Sequence, residues 1–267
     1  MNDGSKAPDR DEIRYEVKDA IGVVTFNRPQ ARNALTFGMY SRLADICRNS
    51  PQADGLKAII VCGAGEKAFA AGTDIAQFRD FSTAQDALDY EQRISGVLEA
   101  VERCSVPTIA AIHGACTGGG AGIAAACDLR IAAADFRFGF PIARTLGNCL
   151  SIENLSRLVS LIGAGRTREV IFTTRLVEAQ EALSIGLISE ILDDRNAVMA
   201  RATELAAQMA EFAPLTLRAT KEGLRRLRAG QSDLDDHDLV TLCYTSEDFR
   251  EGLEAFLAKR KPQWKGR

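Results

Sequence analysis

Residues 113–132 read HGACTGGGAGIAAACDLRIA. An apolar run, Pro107–His113, precedes this stretch and predicts a strand. Three glycines, Gly118-Gly119-Gly120, then open a helix of small residues, Ala121–Cys127, and a second strand follows at Leu129–Ala133. A strand that turns through glycine into a helix aims the helix's first, unbonded N–H groups and its positive end at whatever sits over the turn. Glycine there lets a ligand approach the backbone closely. The stretch Lys67-Ala68-Phe69-Ala70-Ala71-Gly72-Thr73-Asp74-Ile75 has the same design. Two such turns facing each other make converging donors for an oxyanion.

Working outward, Arg14–Lys18 and Ile21–Asn27 are β-rich runs joined at Asp19-Ala20, which predicts a hairpin. Thr36 is placed to cap a helix with Met39, Leu43, Ile46 and Cys47 on one face. Lys57–Cys62 is a buried type of strand, and Tyr90, Ile94, Val97, Leu98 and Val101 mark another amphipathic helix. Residues 80–93 are expected to shape a pocket. Helical patterns dominate from Ser151, interrupted by strand character at Ile188–Leu192. Residues 195–260 read as three helices broken near Pro214 and Gly230. Strands alternating with helices, then a helical end, define an α/β class.

Bulk properties narrow the function. The chain has 267 residues, with 46% hydrophobic and 26% charged, which is globular composition for one large domain with an appendage. A net charge of −3 gives no general attraction to nucleic acid or to an anionic membrane. The seven cysteines form no CxxC and fit reduced thiols. Residues 1–12 read as a polar tail without a signal-peptide core, and Val106–Ile112 is too short to span a bilayer. A cytoplasmic protein is expected. His113 and His237 are the only histidines, so no histidine-rich metal centre is expected. Residues 63–68 match GxGxxA after a strand, but the following residues do not continue an amphipathic helix, and a plain turn is the better reading.

Taken together, several segments carry a resemblance. They are Asn27-Arg28-Pro29 with Asn33-Ala34-Leu35, AFAAGTDI at 68–75, the stretch at 113–132 and Phe138-Gly139-Phe140-Pro141. EALSIGLISEIL at 181–192 and Ala255–Pro262 follow in order. Over about residues 13–267 the chain resembles the crotonase (enoyl-CoA hydratase/isomerase) family. The resemblance implies a crotonase-type spiral of repeated ββα turns over residues 13–194, and a C-terminal helical trimerisation region over 195–267. The assembly it implies is a homotrimer or a dimer of trimers.

It also implies a substrate, an acyl-CoA thioester, with coenzyme A as part of that substrate and no separate cofactor or metal. The backbone N–H groups of Thr73 and Gly119 would form the oxyanion hole. Main chain around Ala68, Ala70 and Ala71, with Ile75, would meet the CoA arm. Arg28, Arg32 and Lys67 would add charge near the phosphates or else form a solvated face, and Phe256 and Lys259 would contact the nucleotide, across a subunit boundary if need be. Two donors on a developing enolate oxygen contribute roughly 3–4 kcal/mol each.

Hydratases of the family also use two glutamates. Their positions here hold Gly122 and Ile142, which line the acyl pocket and cannot move a proton. Hydration is therefore doubtful. The segment Arg144-Thr145-Leu146-Gly147-Asn148-Cys149 offers replacements. Cys149 is a candidate nucleophile if the following helix lowers its pKa, or else a small buried filler. Asn148 can orient water, and Arg144 can pair with an acidic acyl group or with a structural carboxylate. Asp74 is the carboxylate nearest the hole in sequence, with a helix N-cap as the favoured role, and Glu153 suits a helix start. Two functions stay open. One is an acyl-CoA enzyme that stabilises an enolate, as a hydrolase, decarboxylase or isomerase. The other is a non-catalytic acyl-CoA-binding protein.

Overall fold

The structure is a computed structural model that describes residues 12–79, 81–230 and 237–267. The tail expected over residues 1–12 lies almost wholly outside these residues, as does Asp80 at the start of the pocket-shaping segment.

A hairpin opens the chain, β1 (Ile13–Lys18) against β2 (Ile21–Phe26). Its two-residue turn puts Asp19 at φ 51° and Ala20 at φ 60°, the left-handed pair that suits the twist of a tight hairpin. Helix α1 (Phe37–Ala53) starts at Thr36, whose Oγ1 accepts the Met39 N–H at 3.2 Å. Then come β3 (Ala58–Gly63), β4 (Ala68–Ala70) and α2 (Ala84–Glu102), followed by β5 (Thr108–Ile112), β6 (Ala115–Thr117) and α3 (Gly119–Ala126). The third such group is β7 (Leu129–Ala133), β8 (Arg137–Gly139), the short α4 (Ile142–Thr145) and α5 (Ile152–Thr173). The chain ends through β9 (Val177–Glu178), α6 (Ala179–Ser184), β10 (Glu190–Leu192), α7 (Arg195–Ala210), α8 (Pro214–Arg228), α9 (His237–Tyr244) and α10 (Glu247–Leu257).

Each of these three ββα groups after the hairpin sends its first strand to one sheet and its second to another, whereas β1 and β2 lie in the same sheet. The larger sheet runs β1-β2-β3-β5-β7-β10 and the smaller β4-β6-β8-β9. This is the spiral of ββα turns that the resemblance implies. Apart from the β1–β2 and β8–β9 pairs, neighbours are parallel. A parallel sheet covered on both faces needs apolar residues at every position, and β3 is buried throughout. Its side chains alternate between two cores. Ile59 and Val61 join Leu43, Leu98 and Ile123 on one side, while Ile60 and Cys62 meet Val198, Ala202 and Ala206 of α7 on the other.

Residues 63–68 form a turn into β4, not a dinucleotide-binding helix. The C-terminal part departs from the three expected helices. Ser246 starts a further one, with its Oγ accepting the Phe249 N–H at 2.9 Å, so the described residues from 195 onward hold α7, α8, α9 and α10. Among the described residues, no helix is long and apolar enough to cross a membrane.

Candidate active site

The site begins where β4 and β6 end. After Ala70 the chain turns at Gly72, φ 106°, and Thr73 forms a lone parallel bridge with Leu35. In that bridge Leu35 N–H donates to the Gly72 carbonyl at 2.8 Å, and Asp74 N–H donates to the Leu35 carbonyl at 2.9 Å. The bonds fall on the residues flanking Thr73, so the Thr73 N–H has no acceptor among the described residues. After β6, Gly118 adopts φ 52°, ψ −120°, a conformation open to glycine, and α3 begins at Gly119. As the first residue of its helix, Gly119 also has an N–H without an acceptor among the described residues.

The two turns touch. A Cβ placed on Gly118 would lie 3.3 Å from the Gly72 Cα, and one on Gly120 would overlap the Ala70 carbonyl oxygen. One on Gly119 would overlap the hydroxyl of Tyr40. That hydroxyl is fully buried and lies 2.9 Å from Thr73 Oγ1, which is also 3.0 Å from the Tyr90 hydroxyl. Burial pushes the ionisation of both tyrosines upward, so both remain neutral hydrogen-bonding groups.

Over the turns lies a cavity of about 190 Å³, walled by Gly72, Thr73 and Gly119 on one side and by Ile94, Leu98 and Ile142 on another. Gly122 also lines it, and Leu98 Cδ1 would sit 3.3 Å from a Cβ there, so helix α2 occupies the space beside that position. Glu91, also from α2, lines the cavity and is the one carboxylate that does so among the described residues. Burial raises its pKa, the Ser151 N–H lowers it, and the charge of Glu153 raises it.

Of the sequence-predicted site residues, Ala71, Thr73, Ile75, Gly119, Gly122, Ile142 and Asn148 line this cavity. Asp74 does not. Its Oδ1 accepts the Ala76 N–H at 3.1 Å as a cap, and its Oδ2 pairs with Arg28 at 2.9 Å. Arg28 makes the same pair and also meets Glu12 at 3.1 Å and the Ala34 carbonyl at 2.7 Å. Arg32 and Lys67 are exposed. Ala68 and Ala70 are buried in β4, with the Ala68 carbonyl accepting from Asn33 Nδ2 at 2.7 Å.

Cys149 is exposed and faces a second cavity along α5 with Val159 and Phe172. The expected cap is corrected too, because Ser151 caps α5 and Cys149 does not. Arg144 is exposed and lines neither cavity. Phe256, 82% exposed, borders a separate groove with Leu215 and Trp264, and Lys259 is exposed beyond it. His113 is packed in the interior, 2% exposed.

Sequence reasoning missed Glu91, Tyr40 and Tyr90. A signal for Glu91 was present, because it precedes Ile94 by three residues and Leu98 by seven, placing a carboxylate on the apolar face of the helix.

A family model described as enoyl-CoA hydratase/isomerase matches residues 16–267. The chain is 33% identical to a short-chain-enoyl-CoA hydratase of Clostridium acetobutylicum, covering 93% of this chain and 95% of that protein. It is 31% identical to a 2,3-dehydroadipyl-CoA hydratase of Escherichia coli, over 96% and 99%. Among solved structures, an enoyl-CoA hydratase/isomerase family protein of Hyphomonas neptunium superposes with a TM-score of 0.88 at 34% identity, over 96% and 98% of the two chains.

Proposed function

The chain belongs to the enoyl-CoA hydratase/isomerase family, and on that premise we propose that it binds an acyl-CoA thioester with the carbonyl oxygen between the N–H groups of Thr73 and Gly119 and stabilises the enolate formed there. The observation that carries this reading is the pair of N–H groups without acceptors, on touching turns, at the wall of one apolar cavity. Donors fixed before the reaction, in a site with little water, favour the charge that develops on oxygen over the neutral ground state. The acyl chain lies among Ile94, Leu98 and Ile142, and the CoA arm leaves past Ala71 and the exposed Ile75. Phe256 and Lys259 lie on a separate surface, and in this reading they serve the site of a neighbouring protomer in a trimer.

Addition of water by two glutamates is not part of this reading, because Gly122 and Ile142 stand at those positions. The same replacement favours the second reading, an acyl-CoA-binding protein without turnover. Incubation with saturated, α,β- and β,γ-unsaturated acyl-CoAs, followed by mass spectrometry, separates the two. Turnover of at least one thioester supports the enzyme. Tight binding with no turnover supports the binding protein, and no binding of any thioester contradicts both.

A further inference from the structure

We infer that Glu91 of helix α2 is the proton-moving residue of this site, in place of the carboxylates absent at 122 and 142. The inference rests on the acyl-CoA reading above. Glu91, Ile94 and Leu98 fall at i, i+3 and i+7, which is one face of a helix, and all three line the cavity. Leu98 fills the space beside Gly122, so the helix that excludes a larger side chain from that position brings its own carboxylate into the same cavity. The neighbouring residue, Tyr90, is bonded to Thr73 Oγ1 at 3.0 Å, which ties this part of α2 to the oxyanion turn.

A half-buried carboxylate is costly to a fold unless a cation compensates it. Glu91 makes no ion pair among the described residues, in contrast to Glu102, whose Oε2 meets both Arg157 and Arg228. The groups that face it are the Ser151 N–H and Glu153 at the start of α5, Tyr40 from α1 and Tyr90 on its own helix. None is a cation. Burial, with the charge of Glu153 beside it, raises the pKa of the carboxyl against the lowering effect of the Ser151 N–H.

The step balances with these groups alone. The Glu91 carboxylate takes a proton from the α carbon. The electrons of that C–H bond become the Cα=C bond of the enolate, and the carbonyl π pair moves onto the oxygen held by Thr73 and Gly119. The Glu91 carboxylic acid then returns a proton, either the one it took or, after exchange with solvent, one from water. Delivered to the γ carbon of a β,γ-unsaturated chain, it completes a double-bond shift with no water consumed.

The test is deuterium uptake at the α carbon of butyryl-CoA in D2O, read by mass spectrometry on the full chain. Butyryl-CoA binding is measured in parallel by calorimetry. The natural protein is expected to exchange the α proton. Glu91→Gln is expected to slow exchange by about 10²- to 10⁴-fold with binding retained, and Glu91→Asp to keep part of the rate. Exchange by the natural protein should also rise with pH through one group titrating above about 4.3, the ordinary glutamate value. This readout needs no variant to fold. Undiminished exchange in Glu91→Gln, or a flat profile from about pH 4 to 8, overturns the role of Glu91 and leaves the acyl-CoA reading intact. Failure of the natural protein to bind butyryl-CoA overturns both.

Discussion

The Tyr40 hydroxyl lies 2.9 Å from Thr73 Oγ1 and fills the space in which a side chain at Gly119 would start. One buried phenol therefore braces both turns that carry the unbonded N–H groups. The relationship makes Gly119→Ala an overpacking change, with an expected loss of about 1–3 kcal/mol and, because the helix start must shift, a fall in turnover of about 10²–10³. Tyr40→Phe removes the obstructing oxygen. The double variant should be more stable than the sum of the two single losses, measured by urea unfolding. Strict additivity would contradict the packing described.

Asp74 and Arg28 form a partly buried pair beside the site, with side chains 25% and 18% exposed. Asp74→Asn should lose about 1 kcal/mol while its turnover of a reactive acyl-CoA stays near that of the natural protein. Collapse of turnover without loss of stability would return Asp74 to the catalytic set.

Cys149 faces a cavity other than the one over the turns. Cys149→Ala should change stability by no more than about 0.5 kcal/mol and leave turnover intact. Alkylation that abolishes turnover in the natural protein but not in Cys149→Ala would show that the thiol stands closer to the chemistry than this geometry allows.

Leu98 is 1% exposed and reaches the space beside Gly122. Leu98→Ala should lose about 2–5 kcal/mol in denaturant unfolding, because it leaves a cavity in the core. It should also shift acyl preference toward bulkier chains, read as the ratio of kcat/KM values. An unchanged ratio would place the acyl group elsewhere.

The C-terminal helices present Phe256 and Leu257, 82% and 72% exposed, with Leu224, Leu227 and Leu253 also exposed. Apolar surface of this extent is unfavourable in a lone chain. Light scattering should give the mass of a trimer or a dimer of trimers, and Phe256→Asp with Leu257→Asp should shift it toward smaller species. A monomer in the natural protein would contradict this.

The sequence made the turns legible because their chemistry is local. Gly118, Gly119 and Gly120 are required by a left-handed dihedral and by two close approaches, all within reach of a motif. The central strands β3 and β5 of the larger sheet are equally plain, since burial on both faces leaves an unbroken run such as Ala58–Cys62. The acid–base group was not legible from the turns. Its position depends on α2 crossing α3 with Leu98 against Gly122, a tertiary relationship that no spacing near the turns encodes. The replacements that the sequence suggests lie instead at residues 144–149, where Ser151 takes the cap of α5 and Cys149 lines the second cavity. The fourth C-terminal helix was missed for a local reason, because Ser246 caps it without a glycine or proline to announce the break.

The most direct test of the central claim is a crystal structure of the protein with a non-reactive acyl-CoA thioester analogue. The thioester oxygen should lie about 2.7–3.1 Å from both the Thr73 and the Gly119 nitrogens, with the acyl chain against Leu98 and Ile142. A carbonyl bound away from the two turns, with those N–H groups left to water, would contradict it.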